Sequence, residues 1–122
     1  MGKVINLVDY RKEEEIYDGG DIYVIKTKSG KLLVEIENYL FFKTLEDLKA
    51  TYVDFKNQIC NDFNITNNNK LDEVDFKLKY STDNKFYYID LNNFYITNFE
   101  NLVEKLNYII TNIKEGNVVI EE

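Results

Sequence analysis

The chain has 122 residues, of which 44% are hydrophobic and 30% charged, a composition typical of one globular domain. Its formal net charge is −7, and this excess of acid argues against direct binding to nucleic acid, because neutralising phosphates requires Lys and Arg. A single cysteine excludes an internal disulfide, and the lack of histidine excludes the common Cys/His metal sites.

The sequence shows no apolar run of transmembrane length and no charged-then-apolar leader, so we expect a cytoplasmic protein with no membrane partner. Asn, Lys, Ile and Tyr are abundant, whereas Pro, His and Trp are absent. This bias is typical of AT-rich genomes and favours a bacterial or phage source.

The N-terminal segment, 1–20, is predicted to form a short strand and an acidic loop. Residues 3–8, KVINLV, are an apolar run that fits either a strand or the start of a helix. Residues 9–20 are highly charged and end in Gly19-Gly20, which indicates a loop or a frayed helix.

Residues 21–63 are predicted to form a first unit of two or three strands and a helix. The β-rich runs DIYVIKTK and KLLVEIE are joined by a turn in which Gly30 supplies the left-handed residue of a hairpin. The second run alternates, so one face of the sheet is apolar and the other is wet. The wet face carries Leu33, Glu35 and Glu37.

The helix of this unit is predicted from residue 44 to about residue 62, with Thr44 as its cap and Asp47 as a weaker capping partner. Its apolar residues recur at helical spacing. They are Leu45, Leu48, Tyr52, Phe55, Ile59 and Phe63. Residues 64–70, NITNNNK, show no periodicity and form the connection.

Residues 71–116 repeat this order as a second unit. A strand over residues 72–80 is followed by a turn at 81–84 and by the strand KFYYIDL. Alternation in that strand separates two sets of side chains. One face carries Phe86, Tyr88 and Asp90, and the other carries Tyr87, Ile89 and Leu91. The short strand FYI then leads to the last helix.

This last helix, over residues 97–116, is the clearest signal in the chain. Thr97 and Glu100 are placed to form a capping box, and Gly116 can end the helix in the left-handed conformation. A single apolar stripe runs along it. It consists of Phe99, Leu102, Val103, Leu106, Ile109, Ile110 and Ile113. The tail, residues 117–120, is predicted to be a strand that pairs with residues 3–8.

One constant shift, which places Asp21 over Asp75, aligns the two units. It pairs Gly30 with Asn84, two residue types that tolerate the left-handed region. The strands after the turns alternate in opposite phase, since Ile36 is paired with Asp90. A true tandem duplication and a merely shared architecture both remain open.

We therefore predict one α+β domain, residues 1–122, with a single antiparallel sheet of about five to eight strands and both helices packed on one face. Its parts are an N-terminal strand and acidic loop (1–20), two ββ(β)α units (21–63 and 71–116) and a C-terminal strand (117–122).

The sequence carries no catalytic or cofactor motif. Without histidine, the usual base for a Ser or Cys nucleophile is missing, and Cys60 beside Ile59 on an amphipathic helix is typical of a small buried hydrophobe. Glu35 and Asp90 could in principle form an acid–base pair, but among 22 carboxylates chance pairs are certain. The acidic N-terminal segment lacks the spacing of a calcium loop. We expect no enzyme activity, no cofactor and no metal.

We instead expect a non-catalytic, acidic protein-binding module that inhibits or neutralises a partner protein by occlusion, as immunity proteins and phage anti-defence (anti-CRISPR) inhibitors do. The expected partner is a basic nuclease or nucleic-acid-binding effector, because an acidic surface speeds association with a basic one. Tyrosine is enriched at interface hot spots, although core packing of each tyrosine is the alternative. The predicted interaction residues are Glu13, Glu14, Glu15, Asp18, Asp21, Glu35, Glu37, Tyr88 and Asp90.

Three other functions stay open: a binding domain for a small ligand or nucleotide derivative, an accessory subunit of a larger complex, and an enzyme that uses carboxylates and tyrosines alone. Mimicry of DNA by the inhibitor would require the acidic termini and the strand with Glu35 and Glu37 to share one face, because residues between the termini carry only −2 of the net charge.

Overall fold

A computed structural model describes residues 14–37 and 40–121. It confirms an α+β fold with seven strands and two helices in that part of the chain. In chain order the elements are β1 (Glu14–Asp18), β2 (Ile22–Lys26), β3 (Leu32–Ile36), α1 (Leu45–Asp62), β4 (Phe76–Ser81), β5 (Phe86–Leu91), β6 (Phe94–Ile96), α2 (Phe99–Glu115) and β7 (Val119–Glu121). Neither helix is long and apolar enough to cross a membrane.

The strands form two sheets, and the predicted single sheet is wrong. The first sheet has the order β1-β2-β3-β6 and is antiparallel. The second has the order β5-β4-β7, with β7 parallel to β4. A continuous sheet cannot form through β3 and β5, because their free edges are taken: β6 pairs with β3, and Phe42 forms a bridge with Tyr87 of β5.

The two halves of the chain repeat their elements at a constant offset and exchange short segments. The first residues of β2, β3 and α1 (Ile22, Leu32, Leu45) and those of β4, β5 and α2 (Phe76, Phe86, Phe99) are separated by the same interval. In the first sheet Leu32 pairs with Ile96 of β6. In the second sheet Tyr87 pairs with Phe42. Phe42 and Ile96 are equivalent positions, because the same interval separates them. Each half therefore gives the segment before its helix to the sheet of the other half.

A one-residue difference between the hairpins explains the opposite phase of β3 and β5. Val24 lies opposite Val34. Leu78, the counterpart of Val24 at the constant offset, lies opposite Ile89, which is one position beyond the counterpart of Val34. The second hairpin is therefore one residue longer between equivalent pairs. Accordingly, Gly30 is the left-handed residue of the first turn (φ 87°), as predicted, but its counterpart is Lys85 (φ 59°) and not Asn84.

Both helices begin with a side-chain cap. The Thr44 hydroxyl accepts a hydrogen bond from the Asp47 backbone N–H at 3.1 Å, which confirms the predicted cap of α1. The predicted Thr97 cap of α2 is wrong by one residue: Asn98 accepts from the Asn101 N–H at 2.8 Å. The Asn101 side chain in turn accepts from the Thr97 N–H at 3.0 Å, the reciprocal role predicted for Glu100. Gly116 ends α2 with φ 72°, as predicted.

The buried hydrophobic side chains form one cluster that includes both sheets and both helices. The helices pack against each other, α1 also contacts β5, and α2 also contacts β6. Most of the predicted stripes are buried, whereas a few members at the stripe edges are only partly buried. These are Leu45, Phe63, Phe99 and Ile110.

Both ends of the chain differ from the sequence-based expectation. Residues 14–18 form the strand β1, so the predicted loop or frayed helix is wrong there. The tail forms β7, which pairs with β4. Its predicted partner, residues 3–8, lies outside the described part of the chain.

Candidate protein-interaction face

The four-stranded sheet has one face in the core and one face turned outward. Ile22, Val24, Val34 and Ile36 are buried, so the alternate residues of β2 and β3 point away from the core. Cross-strand pairing extends this outward set onto β1 and β6. We call it the acidic face, and it consists of Glu15, Asp18, Asp21, Tyr23, Ile25, Leu33, Glu35, Glu37 and Tyr95.

Tyr23 lies at the centre of the charged end of this face. Its Cα partners are Asp18 on β1 and Glu35 on β3. The Glu37 N–H donates to the Asp21 carbonyl at 2.9 Å, which places these two residues side by side at the next position. Desolvation of the hydroxyl, together with the carboxylates of Asp18, Glu37, Asp21 and Glu15, raises the pKa of Tyr23. A neutral phenol is therefore surrounded by negative charge at neutral pH.

The other end of the acidic face is apolar. Leu33 lies between Ile25 on one side and Tyr95 on the other. Tyr95 is 54% exposed, and the Lys31 ammonium lies 5.4 Å from the centre of its ring. Within residues 14–37 and 40–121, every ion pair of 4.0 Å or shorter involves Lys79 or Lys105, so none neutralises a carboxylate of this face.

The structure brings only some of the predicted interaction residues together. Five of them share the acidic face. These are Glu15, Asp18, Asp21, Glu35 and Glu37. Glu14 lies opposite Lys26, on the other face of the strand pair. Tyr88 and Asp90 belong to the second sheet, and Glu13 lies outside the described residues. The suggested carboxylate pair, Glu35 with Asp90, therefore falls on separate sheets.

Tyr88 and Asp90 take part in a network on the outer face of the second sheet. The Tyr88 hydroxyl donates to Glu121 Oε2 at 2.6 Å, and Lys79 Nζ lies 2.9 Å from Asp90 Oδ2 and 4.0 Å from Glu121 Oε2. Hydrogen bonding to Asp90 raises the pKa of Lys79, and hydrogen bonding to Glu121 raises the pKa of Tyr88. Asp90 is thus already paired with a cation.

Sequence reasoning placed Leu33 on the wet face but not among the interaction residues, and it missed Tyr23 and Ile25, which lie at the centre of the face. The signal for them is the alternation in DIYVIK, which puts Asp21, Tyr23 and Ile25 on one side of a strand. That signal alone does not reveal the face, because the face also needs β1. The charged segment that forms β1 has the composition of a loop.

A hydrogen-bond chain holds β1 against α1. The Tyr17 hydroxyl donates to Asp62 Oδ2 at 2.7 Å and accepts from Gln58 Nε2 at 2.9 Å, and Gln58 also donates to the Gly19 carbonyl at 3.1 Å. A Cβ on Gly19 would lie 2.7 Å from Gln58 Nε2, so a larger residue at this position would displace the Gln58 amide. These hydrogen bonds hold Tyr17 and Gly19 in place. They thereby position Asp18, which lies between these two residues in sequence, beside Tyr23.

Replacing Tyr17 with phenylalanine should reduce the amount by which the free energy of unfolding falls as pH rises into the alkaline range. Burial, followed by the hydrogen bond to Asp62, raises the pKa of Tyr17 to about 12. Between about pH 10 and about pH 12 the unfolded chain releases this proton and the folded chain keeps it, so the free energy of unfolding falls as pH rises. Below about pH 10 the Tyr17→Phe variant should be less stable by about 0.5–1.5 kcal/mol, because it lacks the hydrogen bonds.

Urea unfolding at a series of pH values between about pH 8 and about pH 11.5 measures both effects. Tyr95→Phe, at an exposed position with no hydroxyl hydrogen bond to a described residue, is the control. Burial also raises the pKa of Tyr52, so the variant should retain part of the alkaline loss. An unchanged slope in Tyr17→Phe would contradict the assignment.

No three His, Cys, Asp or Glu side chains in ranges 14–37 and 40–121 are placed to hold a metal ion. A cleft of about 580 Å³ lies between Tyr95 and the start of α2. Its Asp72 is bonded to Asn101 at 2.7 Å and to Lys105 at 2.9 Å, and the bond to Lys105 lowers the pKa of Asp72. These polar groups satisfy one another and stabilise the start of α2.

Comparisons with models of protein families, with curated proteins and with solved structures give no match for this chain.

Proposed function

We propose that this protein is a non-catalytic inhibitor that binds another protein through the acidic face and occludes the surface it covers. The observation that supports this most is the position of Tyr23 among Asp18, Asp21, Glu35 and Glu37, on the sheet face that points away from the core. Immunity proteins and phage anti-defence inhibitors, including anti-CRISPR proteins, act in this way.

The proposed partner is a basic protein, such as a nuclease or a nucleic-acid-binding effector. The carboxylates of the acidic face attract a cationic surface and raise the association rate. The ring of Tyr23 can receive an arginine or lysine side chain, because a cation over an aromatic ring is stabilised by about 0.5–2 kcal/mol. Ile25, Leu33 and Tyr95 supply the apolar contact that lets such a complex exclude water.

The charges that could imitate the phosphates of DNA lie on this same face. Glu15, Asp18 and Asp21 from the N-terminal segment stand beside Glu35 and Glu37. Glu121, near the other end of the chain, belongs to the second sheet. Glu121 therefore does not share the face of Glu35 and Glu37, so among the described acids only those of the N-terminal segment meet the condition stated above for mimicry of DNA.

The test is capture of a partner by the tagged protein from a low-GC bacterial host, at about 50 and about 500 mM salt. A face variant carries Asp18→Lys, Glu35→Lys and Glu37→Lys. A control variant carries the same change of charge at exposed acids elsewhere, Asp54→Lys, Asp75→Lys and Asp83→Lys. We expect the wild type and the control to capture one basic protein at low salt, and the face variant to capture at least about tenfold less.

The captured protein is then assayed for its own activity with and without this chain. Loss of that activity with the wild type, and not with the face variant, is the expected result. A partner that stays active would make this protein an accessory subunit instead. Equal capture by the face variant and the wild type would remove the acidic face from the interaction. If neither captures a protein, a ligand screen at the cleft beside Tyr95 tests the small-ligand alternative.

A further inference from the structure

The outer face of the second sheet carries an exposed aromatic group. The rings of Phe41 and Phe86 stack with their centres 4.2 Å apart, and the ring of Tyr88 meets Phe41 edge-on at 5.8 Å. Phe41 and Val119 are each 48% exposed. Together with the charged residues between them, these side chains form what we call the aromatic face. It consists of Phe41, Lys77, Lys79, Phe86, Tyr88, Asp90, Val119 and Glu121.

The charges on the aromatic face are balanced, in contrast to those on the acidic face. Lys77 and Lys79 on β4 stand beside Asp90 on β5 and Glu121 on β7. Lys79 bonds Asp90 at 2.9 Å, and Lys77 is the Cα partner of Asp90. Two cations and two anions therefore surround an apolar centre in a chain whose net charge is −7.

A second copy of the chain is the partner that such a surface fits. Two copies of an acidic protein repel each other wherever acidic surfaces meet, and the acidic face would oppose its own charge in a symmetric contact. The aromatic face presents no net charge, and Lys77, which makes no ion pair of 4.0 Å or shorter with a described residue, can meet a carboxylate of the other copy. Phe41 and Val119 supply apolar surface that the described residues leave exposed to water.

We propose that the aromatic face is the contact of a weak symmetric homodimer. The contact is independent of the proposed function, because it uses the opposite sheet and leaves the acidic face of each copy free. With eight residues a side, against about 20–30 in a standard interface, the contact is small, so we expect a weak and reversible dimer.

Analytical ultracentrifugation of the full chain from about 10 µM to about 1 mM tests the proposal. We expect a reversible monomer–dimer equilibrium that Phe41→Asp weakens by at least about tenfold. Tyr95→Asp is the matched control, because Tyr95 is a similarly exposed aromatic residue on the acidic face. It should leave the equilibrium unchanged. A protein that stays monomeric over this range, or a dimer equally sensitive to both variants, would overturn the proposal.

A charge exchange gives a second test that does not depend on losing an aromatic ring. Lys77→Glu makes the aromatic face net negative, and Asp90→Lys makes it net positive. Each variant alone should be more monomeric than the wild type, and an equal mixture should form heterodimers again. Circular dichroism of each variant verifies that it is folded. Failure of the mixture to recover association, with both variants folded, would remove this face from any dimer.

Discussion

Two fragments that divide the chain within the 64–70 connection, residues 1–66 and 67–122, are expected to lack stable structure separately and to assemble into one folded 1:1 complex when mixed. The structural reason is the exchange of short segments. Fragment 1–66 alone lacks β6, the neighbour of β3, and fragment 67–122 alone lacks Phe42, the neighbour of Tyr87. In addition, α1 and α2 pack against each other in a single core cluster. Each fragment would therefore expose the apolar stripe of its helix to water. A chain of about 60 residues buries too little surface to offset this exposure.

Far-UV circular dichroism of each fragment and of the mixture measures this outcome, and a titration gives the affinity. A second cut between Lys28 and Ser29, within the β2–β3 turn, is the control. It divides one hairpin and separates β1 and β2 from both α1 and α2, so reassembly should be weaker by at least about tenfold. Cooperative unfolding of either fragment as a monomer would show that one half is a domain by itself.

Asn107→Leu should lower the free energy of unfolding by about 2–3 kcal/mol, since two backbone carbonyls lose their donor at a buried site. Asn107 is 5% exposed, and its amide donates to the carbonyls of Asn68 at 2.7 Å and Lys70 at 3.0 Å. These two bonds attach the connection between the halves to α2. The leucine side chain has the same branched arrangement of heavy atoms and is larger, so no cavity contributes to the loss.

Asn112→Leu is the matched control on the same helix. The Asn112 amide donates to the Tyr108 carbonyl one turn earlier, and its side chain is only partly buried. Leucine favours a helix more than asparagine does, so this variant should stay within about 0.5 kcal/mol of the wild type. Urea unfolding of both variants gives the comparison. Equal losses in the two would mean that attachment of the connection contributes nothing to stability.

Both helices could be predicted closely because their signals are local. The apolar residues of α2 recur within one turn of one another, and its ends are marked by Asn98 and Gly116. Even so, the predicted cap, Thr97, lies one residue early. Thr97 and Asn98 are both capping residues, and the side-chain bonds of Asn101 decide between them.

The first hairpin could be predicted equally well, because period-two alternation specifies its strands and Gly30 specifies its turn. The turn of the second hairpin was not predicted correctly by aligning the two halves. One constant shift aligns the halves in sequence, but the longer turn moves the left-handed residue to Lys85 and turns Tyr88 and Asp90 outward. One residue in a turn reverses the faces of the strand that follows it.

The sequence by itself determined the α+β class, the two helices with their buried stripes, the hairpins and the excess of acid. Only the tertiary structure decided that β6 pairs with β3, that β7 runs parallel to β4, and that β1 joins Asp18 to Tyr23 and Glu35. The physical reason is the distance along the sequence between the residues that interact. Helical periodicity, caps and turns depend on residues a few positions apart, whereas the partner of a strand depends on which edges are free once the core has packed.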